Sequence, residues 1–258
     1  MTGSSHDIGD LSYTTVAALL ASPSRKIAIV PVGSVEAHGP HLPLSTDTMI
    51  SEAVALRAAR ELASRDYIAV RFPAIHYGVT DWARMFAGTT TLTAATTESI
   101  VFETCHAAHA MGFDRVVLTN AHLEPDHIAV LRAVAKRFTE QTGRPLLFPD
   151  KTRRVAAQRL TEEFKSGSCH AGQYETSLVL AIRPDLVDVA KAKALPEHVV
   201  PLHERIAAGA RDFAECGLDQ AYCGNPAGAT AEEGERSLAT LVALVIESVE
   251  QSFAATPA

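Results

Sequence analysis

The chain predicts an α/β fold in which a mostly parallel sheet is covered by helices on both faces. Short segments rich in Ile and Val alternate along it with longer segments of helical periodicity. The short segments are near-continuous apolar runs, as expected of strands buried on both faces. With 258 residues, 47% hydrophobic and 21% charged, the chain is long enough to enclose one large core.

The elements follow in order. Residues 1–10, rich in Ser, Gly and Asp, read as a mobile tail, and 11–258 as one domain. A short helix is expected over Ser12 to Ala21. Lys26 to Val32 is a central strand, ended by Gly33 and Ser34. After a loop through Pro40 and Pro43, Asp47 is placed to cap a helix reaching Ala63, in which Ile50, Val54, Ala58 and Leu62 recur at helical spacing. Tyr67 to Phe72 is the next strand, stopped by Pro73. Gly78 to Thr91 is a loop holding the only tryptophan, Trp82. A helix over Thr96 to Met111 ends at Gly112, and the strand Arg115 to Thr119 follows. Pro125, beyond a loop from Asn120, suits the first turn of a helix running to about Thr139. Pro145 to Phe148 is a short strand. Lys151 to Phe164 and Glu175 to Ile182 read as helices around a small-residue loop, Ser166 to Ser168. The polar loop Cys223 to Ala229 leads into an amphipathic helix over Ala231 to Phe253.

Composition excludes several functions. A net charge of −7 without clustered Lys and Arg argues against a nucleic-acid partner. The amino-terminal stretch lacks a basic start and a long apolar run, so it does not read as a secretory signal. No apolar run approaches the roughly 20 residues that cross a bilayer, so no membrane partner is expected. The four cysteines show no CxxC spacing and suit free thiols in a reducing cytoplasm. No GxGxxG or P-loop is present to cradle a nucleotide.

The chemistry is concentrated in two strings, Glu36-Ala37-His38 and His122-Leu123-Glu124, with Asp47 following the first. In extended chain, residues i and i+2 point to the same side, so each pair can present both heads to one site. Both pairs fall just past the carboxyl end of a predicted strand, where open α/β sheets bind ligands. Carboxylate and imidazole donors without thiolates suit Zn, Mn or Fe(II), and Asp47 is the candidate to bridge two divalent ions. Such ions acidify a shared water, so that a bound hydroxide can attack a substrate carbonyl. His170 can serve as general acid or base, or steady the tetrahedral intermediate. Other polar residues compete for roles. Cys169 beside His170 raises a thiol hydrolase, although sequence neighbours on extended chain point apart. His106 and His109 share a helix face but lack a third donor. His41, His76 and His127 lie near the proposed site, and Trp82 and Arg84 are candidates for a lid or a subunit contact.

One run, Val30-Pro31-Val32-Gly33-Ser34-Val35-Glu36-Ala37-His38-Gly39-Pro40-His41-Leu42-Pro43-Leu44 with Thr46-Asp47, resembles the signature of the creatininase (creatinine amidohydrolase) family. Phe86-Ala87-Gly88-Thr89, Asn120-Ala121-His122-Leu123-Glu124, His170-Ala171-Gly172-Gln173-Tyr174-Glu175-Thr176-Ser177, Gly224-Asn225-Pro226 and Ala229-Thr230-Ala231 resemble further segments of that family. The resemblance implies a three-layer αβα fold, a two-metal site, hydrolysis of non-peptide C–N bonds in a small amide or cyclic amide, and a homo-oligomer, often a hexamer. By matching positions, Glu36, Asp47 and His122 would bind one metal, and His38, Asp47 and Glu124 the other. Glu124 and His170 are then the catalytic candidates. Glu175 is open between a direct role and one of orienting a ligand. Where creatininase itself has an acidic residue and a nearby tryptophan before the matching histidine, this chain has Lys165-Ser166-Gly167-Ser168-Cys169, so creatinine is not the expected substrate. Deformylase, peptide-trimming and ring-opening C–C hydrolase reactions stay open on such a site, as does a metal- or ligand-binding protein without turnover.

Overall fold

Strands β1 (Lys26–Val32), β2 (Ile68–Arg71), β3 (Arg115–Asn120) and β4 (Leu146–Leu147) form one parallel sheet, in the order β2-β1-β3-β4, in the computed structural model, which describes residues 6–254. Ten α-helices accompany it among the described residues: α1 (Tyr13–Leu20), α2 (Thr46–Ala63), α3 (Ala94–Ala110), α4 (Pro125–Thr142), α5 (Arg154–Ala157), α6 (Glu162–Ser166), α7 (Gln173–Ile182), α8 (Val189–Ala194), α9 (Leu202–Ala207) and α10 (Ala231–Ala254).

The three layers are visible in β1 alone. Ile27 and Ile29 enter the core shared with α2, α7 and α10, whereas Ala28, Val30 and Val32 enter the one shared with α3 and α4. Side chains alternate across a strand, so a strand apolar at every position must be covered twice. Pro31 is tolerated in this central strand because its carbonyl accepts from Ile75 on the side where β2 has already ended, and a ladder N–H is not needed there. The long helix α10 is long and apolar enough to cross a membrane by composition, yet Leu238, Leu241, Val242, Val245, Ile246 and Val249 are buried in the core.

The topology places the site. From β1 the chain crosses by α2 on one face to β2, and from β3 it crosses by α4 on the other face to β4. The loops leaving the adjacent strands β1 and β3 therefore diverge and open a crevice at their carboxyl ends.

Some expectations need correction. Residues 1–5 of the expected tail lie outside the described residues, but 6–10 are ordered: the His6 carbonyl accepts from Arg71 N, Asp7 pairs with the Arg71 guanidinium, and Ile8–Asp10 form a 3-10 turn. Asp47 does not cap α2; Ser45 holds the cap position and Asp47 lies in the first turn. Lys151 to Phe164 is not one helix. Asp150 accepts from Thr152 N and Oγ1 to form a turn, and Thr161 caps a separate helix at Phe164 N, so local side-chain bonds outcompete helical continuity. The short helices α8 and α9, between 183 and 222, carry no signal that marked them in advance.

Candidate metal centre

The β1 loop leaves the sheet through Gly33, where a side chain would strike Thr48 at 2.6 Å, so the chain can pass close over the start of α2. This brings Ser34, Glu36 and His38 above Asp47. Ser34 Oγ donates to Asp47 Oδ2 at 2.6 Å. His38 Nδ1 is 3.1 Å from the Glu36 carbonyl, and His122 Nε2 is 2.7 Å from the Val79 carbonyl. A carbonyl only accepts, so each of these nitrogens carries a proton, and the other ring nitrogen is left to face the carboxylates of the crevice.

Two donor sets result. His122 Nδ1 lies 3.2 Å from Glu36 Oε1 and 3.2 Å from Asp47 Oδ2. His38 Nε2 lies 3.5 Å from Asp47 Oδ1 and 3.6 Å from Glu175 Oε2. The two oxygens of Asp47 thus face different sets. Glu36, His38, Asp47, His122 and Glu175 are all buried. His38 Nε2 and Glu36 Oε2 nevertheless have no hydrogen-bond partner among the described residues. Separations of 3.5 to 3.7 Å around His38 Nε2 are too long for hydrogen bonds. They match the ~3.4 Å between donors placed about 2.1 Å from one tetrahedral ion. The residues present therefore fit divalent cations, and Asp47 belongs to both donor sets.

The electrostatics agree. Burial alone would lower His38, but the carboxylates of Asp47, Glu175 and Glu36 outweigh it and raise the imidazole to about 10. His122 is likewise raised well above its ordinary value, by Glu36 and Asp47 against burial. Asp47, despite burial, is held well below the carboxylate range by the two histidines. The cup demands positive charge, and protons supply it when cations do not.

Glu124, Glu175 and His170 surround the two donor sets. Glu124 was expected beside His38 and Asp47; the structure brings Glu175 there instead. Glu124 Oε1 and Oε2 accept from the backbone N–H groups of Asp81 and Trp82 at 3.0 and 3.1 Å, and the residue lines the cavity. Burial foremost raises it to about 7. Glu175 descends from the first turn of α7, with Oε2 accepting from Ala171 N at 2.7 Å, and burial raises it to about 7. His170 gives its Nε2 hydrogen to the Ala37 carbonyl at 3.0 Å and stacks between His38 and Phe213. Burial, and then His38, push it down to about 4, so it is neutral.

These groups line a partly open cavity of about 480 Å³. Trp82 belongs to its wall, with Leu123, Pro125, Leu202, Ile206 and Phe213. Phe213, Leu202 and Ile206 were missed, because they come from short irregular segments. Cys169 also lines the cavity, but burial holds its thiol well above the ordinary range, against the thiolate a cysteine hydrolase needs. All four cysteines are free. His41 bonds Thr176 Oγ1, His127 packs on His122 and lies by Asn120, and His76 is exposed; none lines the cavity. His106 and His109 pack on Phe102 and Phe138, far from a third donor. Arg84 pairs with Asp81.

Comparison with known proteins follows the same line. The creatininase (creatinine amidohydrolase) family profile matches residues 9–249. A mycofactocin precursor peptide peptidase from Mycolicibacterium smegmatis is 33% identical over 226 residues, covering 84% of this chain and 81% of the relative. A creatinine amidohydrolase from Pseudomonas putida is 28% identical over 265 residues, covering 96% of this chain and 98% of the relative. Among solved structures, a creatinine amidohydrolase (creatininase) superposes with a TM-score of 0.76 at 24% identity, covering 99% of this chain and 100% of that one. Solved creatininases include a manganese form and a form described as Zn-Zn type.

Proposed function

This chain belongs to the creatininase family, and from that premise we propose that it is a dinuclear metal-dependent hydrolase of amide C–N bonds. The observation that carries the reading is the division of Asp47, one carboxylate oxygen to each of two buried donor sets. Glu36 and His122 would complete one set, and His38 and Glu175 the other. Zinc and manganese are the candidate ions, as found in solved creatininases. Two bound divalent ions would polarise an amide carbonyl and acidify water between them.

The chain's own residues divide the remaining work. Glu124, raised by burial and facing the cavity, accepts the proton that water loses on attack and returns it to the departing nitrogen. Its oxygens are held by two backbone N–H groups, so the carboxylate is fixed rather than searching. His170, neutral and tethered to the Ala37 carbonyl, keeps Nδ1 as an acceptor and orients substrate. The apolar wall of Trp82, Leu123, Leu202, Ile206 and Phe213 excludes water and receives an uncharged group next to the scissile bond.

Small or cyclic amides are one substrate class. Peptides are favoured by the 33% identity to a relative named as a peptide peptidase. Stripping metal with a chelator and refilling with zinc or manganese tests the reading, assayed on a panel of cyclic amides and short apolar peptides. Activity should vanish and return with metal. Full activity of the stripped protein, or of His38→Ala, would refute the metal reading, and turnover of cyclic amides alone would refute the peptide preference.

A further inference from the structure

We infer that Glu163, which lies outside both donor sets, is the positioning residue that holds the Glu175 side of the site together. The assignment rests on the two-ion reading above. The start of α7 lacks a cap of its own: Gly172 occupies the cap position and offers no side-chain bond. Glu163 replaces it from another helix. Its Oε2 accepts from Gln173 N at 2.9 Å and its Oε1 from Tyr174 N at 2.8 Å. The same Oε2 accepts from Asn225 N at 2.7 Å, across the loop that precedes α10. One carboxylate therefore satisfies two otherwise orphaned first-turn N–H groups and one loop N–H, and its charge favours the positive end of the α7 dipole.

Both neighbouring glycines are shaped around it. A side chain at Gly172 would meet Glu163 Oε1 at 2.5 Å, and one at Gly224 would collide with Glu163 Oε2. Gly224 has in addition a φ of +97°, which a side chain disfavours. Backbone closes in as well, the Cys223 carbonyl 2.5 Å from a side chain at Gly172 and the Ser168 carbonyl against one at Gly224, so both glycines are required by the packing of carboxylate and chain around the gap.

What Glu163 grips leads directly to the site. In the same first turn, two residues beyond Gln173, is Glu175, whose Oε2 lies 3.6 Å from His38 Nε2. Next to Asn225 in the gripped loop, Cys223 N donates to the His170 carbonyl at 2.8 Å. The turn between them, with Ala171 at a φ of +51°, is held in an unfavourable conformation for alanine, so it depends on its surroundings. The Glu36–Asp47–His122 set, in contrast, is built from the β1 and β3 loops and α2, whereas the hydrogen bonds of the Glu163 carboxylate go to α7 and the loop before α10.

That asymmetry is the test. Zinc stoichiometry and affinity are measured on the purified full chain by competition with a chromophoric chelator, for wild type, Glu163→Ala and Glu163→Gln. Glu162→Ala, at an exposed neighbour, serves as control. Wild type and control should bind two ions. Glu163→Ala should keep one near wild-type affinity and weaken the other by about 10- to 100-fold, the usual effect of losing a partner behind a metal ligand. Glu163→Gln, which keeps an acceptor oxygen, should fall between. In a His122→Asn background, where only the His38–Asp47–Glu175 set remains, Glu163→Ala should abolish tight binding; in a His38→Asn background it should leave the remaining ion unaffected. Equal weakening of both ions in a folded protein, or affinities unchanged within twofold, overturns the assignment. If Glu163→Ala does not fold, Glu163→Gln is read by the same criterion. Fewer than two ions on wild type would instead overturn the two-ion reading itself.

Discussion

Raising the pH should destabilise the metal-free protein, and metal should abolish the effect. His38 has an ordinary value of 6.5 and is raised to about 10 in the folded chain, where Asp47, Glu175 and Glu36 outweigh the effect of burial. A group raised in the folded state binds its proton more tightly there than in the unfolded chain. The stability it contributes is complete below 6.5 and is lost as pH climbs through about 10. At roughly 1.4 kcal/mol per pH unit, that rise corresponds to on the order of 5 kcal/mol. For a chain of this size, with roughly 2–4 °C per kcal/mol, the melting temperature should drop by about 10–20 °C. Bound cations take the place of the proton, so the zinc-loaded protein should show little of this loss. The assay is thermal melting of chelator-stripped and zinc-loaded protein between pH 6.5 and 10, with stripped His38→Asn to subtract other alkaline titrations. A stripped wild type whose melting temperature is flat across this window, or falls no more than that of His38→Asn, refutes the reasoning.

Three further outcomes are expected. Asp47→Asn removes the charge that both donor sets share, so both zinc ions should weaken together by at least about 10-fold, as read by chelator competition. Glu124→Gln should keep both ions but lower kcat by roughly 10²–10⁴-fold; in the wild type, kcat should rise with pH through a midpoint at or below about 7, because Glu124 works in its deprotonated form. Gly234→Ala would place a side chain against the Ser177 carbonyl carbon at 2.5 Å, where α10 and α7 meet, and should cost about 1–3 kcal/mol in denaturant unfolding.

What the sequence disclosed and what it hid follow from range. β1 and β3 were legible because strands buried on both faces must be apolar at every position, and Ile27 to Val32 and Val116 to Leu118 are. The approach of Glu36 to His38 was legible because alternation along extended chain is local. Alternation states which side a group faces, however, not which donor set it joins. Glu124 and Glu175 could be told apart only once the backbone N–H groups of Asp81 and Trp82 were seen to claim the former. The cavity wall was hidden for a similar reason. Ile206 and Leu202 lie on a six-residue helix too short to show a period, and Phe213 and Trp82 meet edge to face at 6.2 Å from loops far apart in the chain. The split of Lys151 to Phe164 was hidden by side-chain bonds at Asp150 and Thr161, which apolar spacing does not report.

The strongest argument that the charged cluster serves a ligand rather than the fold lies in how each group is held. A buried polar cluster kept for stability should close on itself with hydrogen bonds near 2.8 Å, since unpaired buried groups are costly. Here four of the groups are anchored in that way: His38 Nδ1 on the Glu36 carbonyl, His122 Nε2 on the Val79 carbonyl, Asp47 Oδ2 by Ser34 Oγ and Glu175 Oε2 by Ala171 N. The gap lies at the centre, where His38 Nε2 has no hydrogen-bond partner among the described residues and its nearest carboxylate oxygens stand 3.5 to 3.7 Å away. A small rotation of Glu175 could close that distance, yet its bond from Ala171 N holds it. A scaffold that anchors four of these groups and yet leaves His38 Nε2 and Glu36 Oε2 without a partner among the described residues is organised around positive charge at its centre.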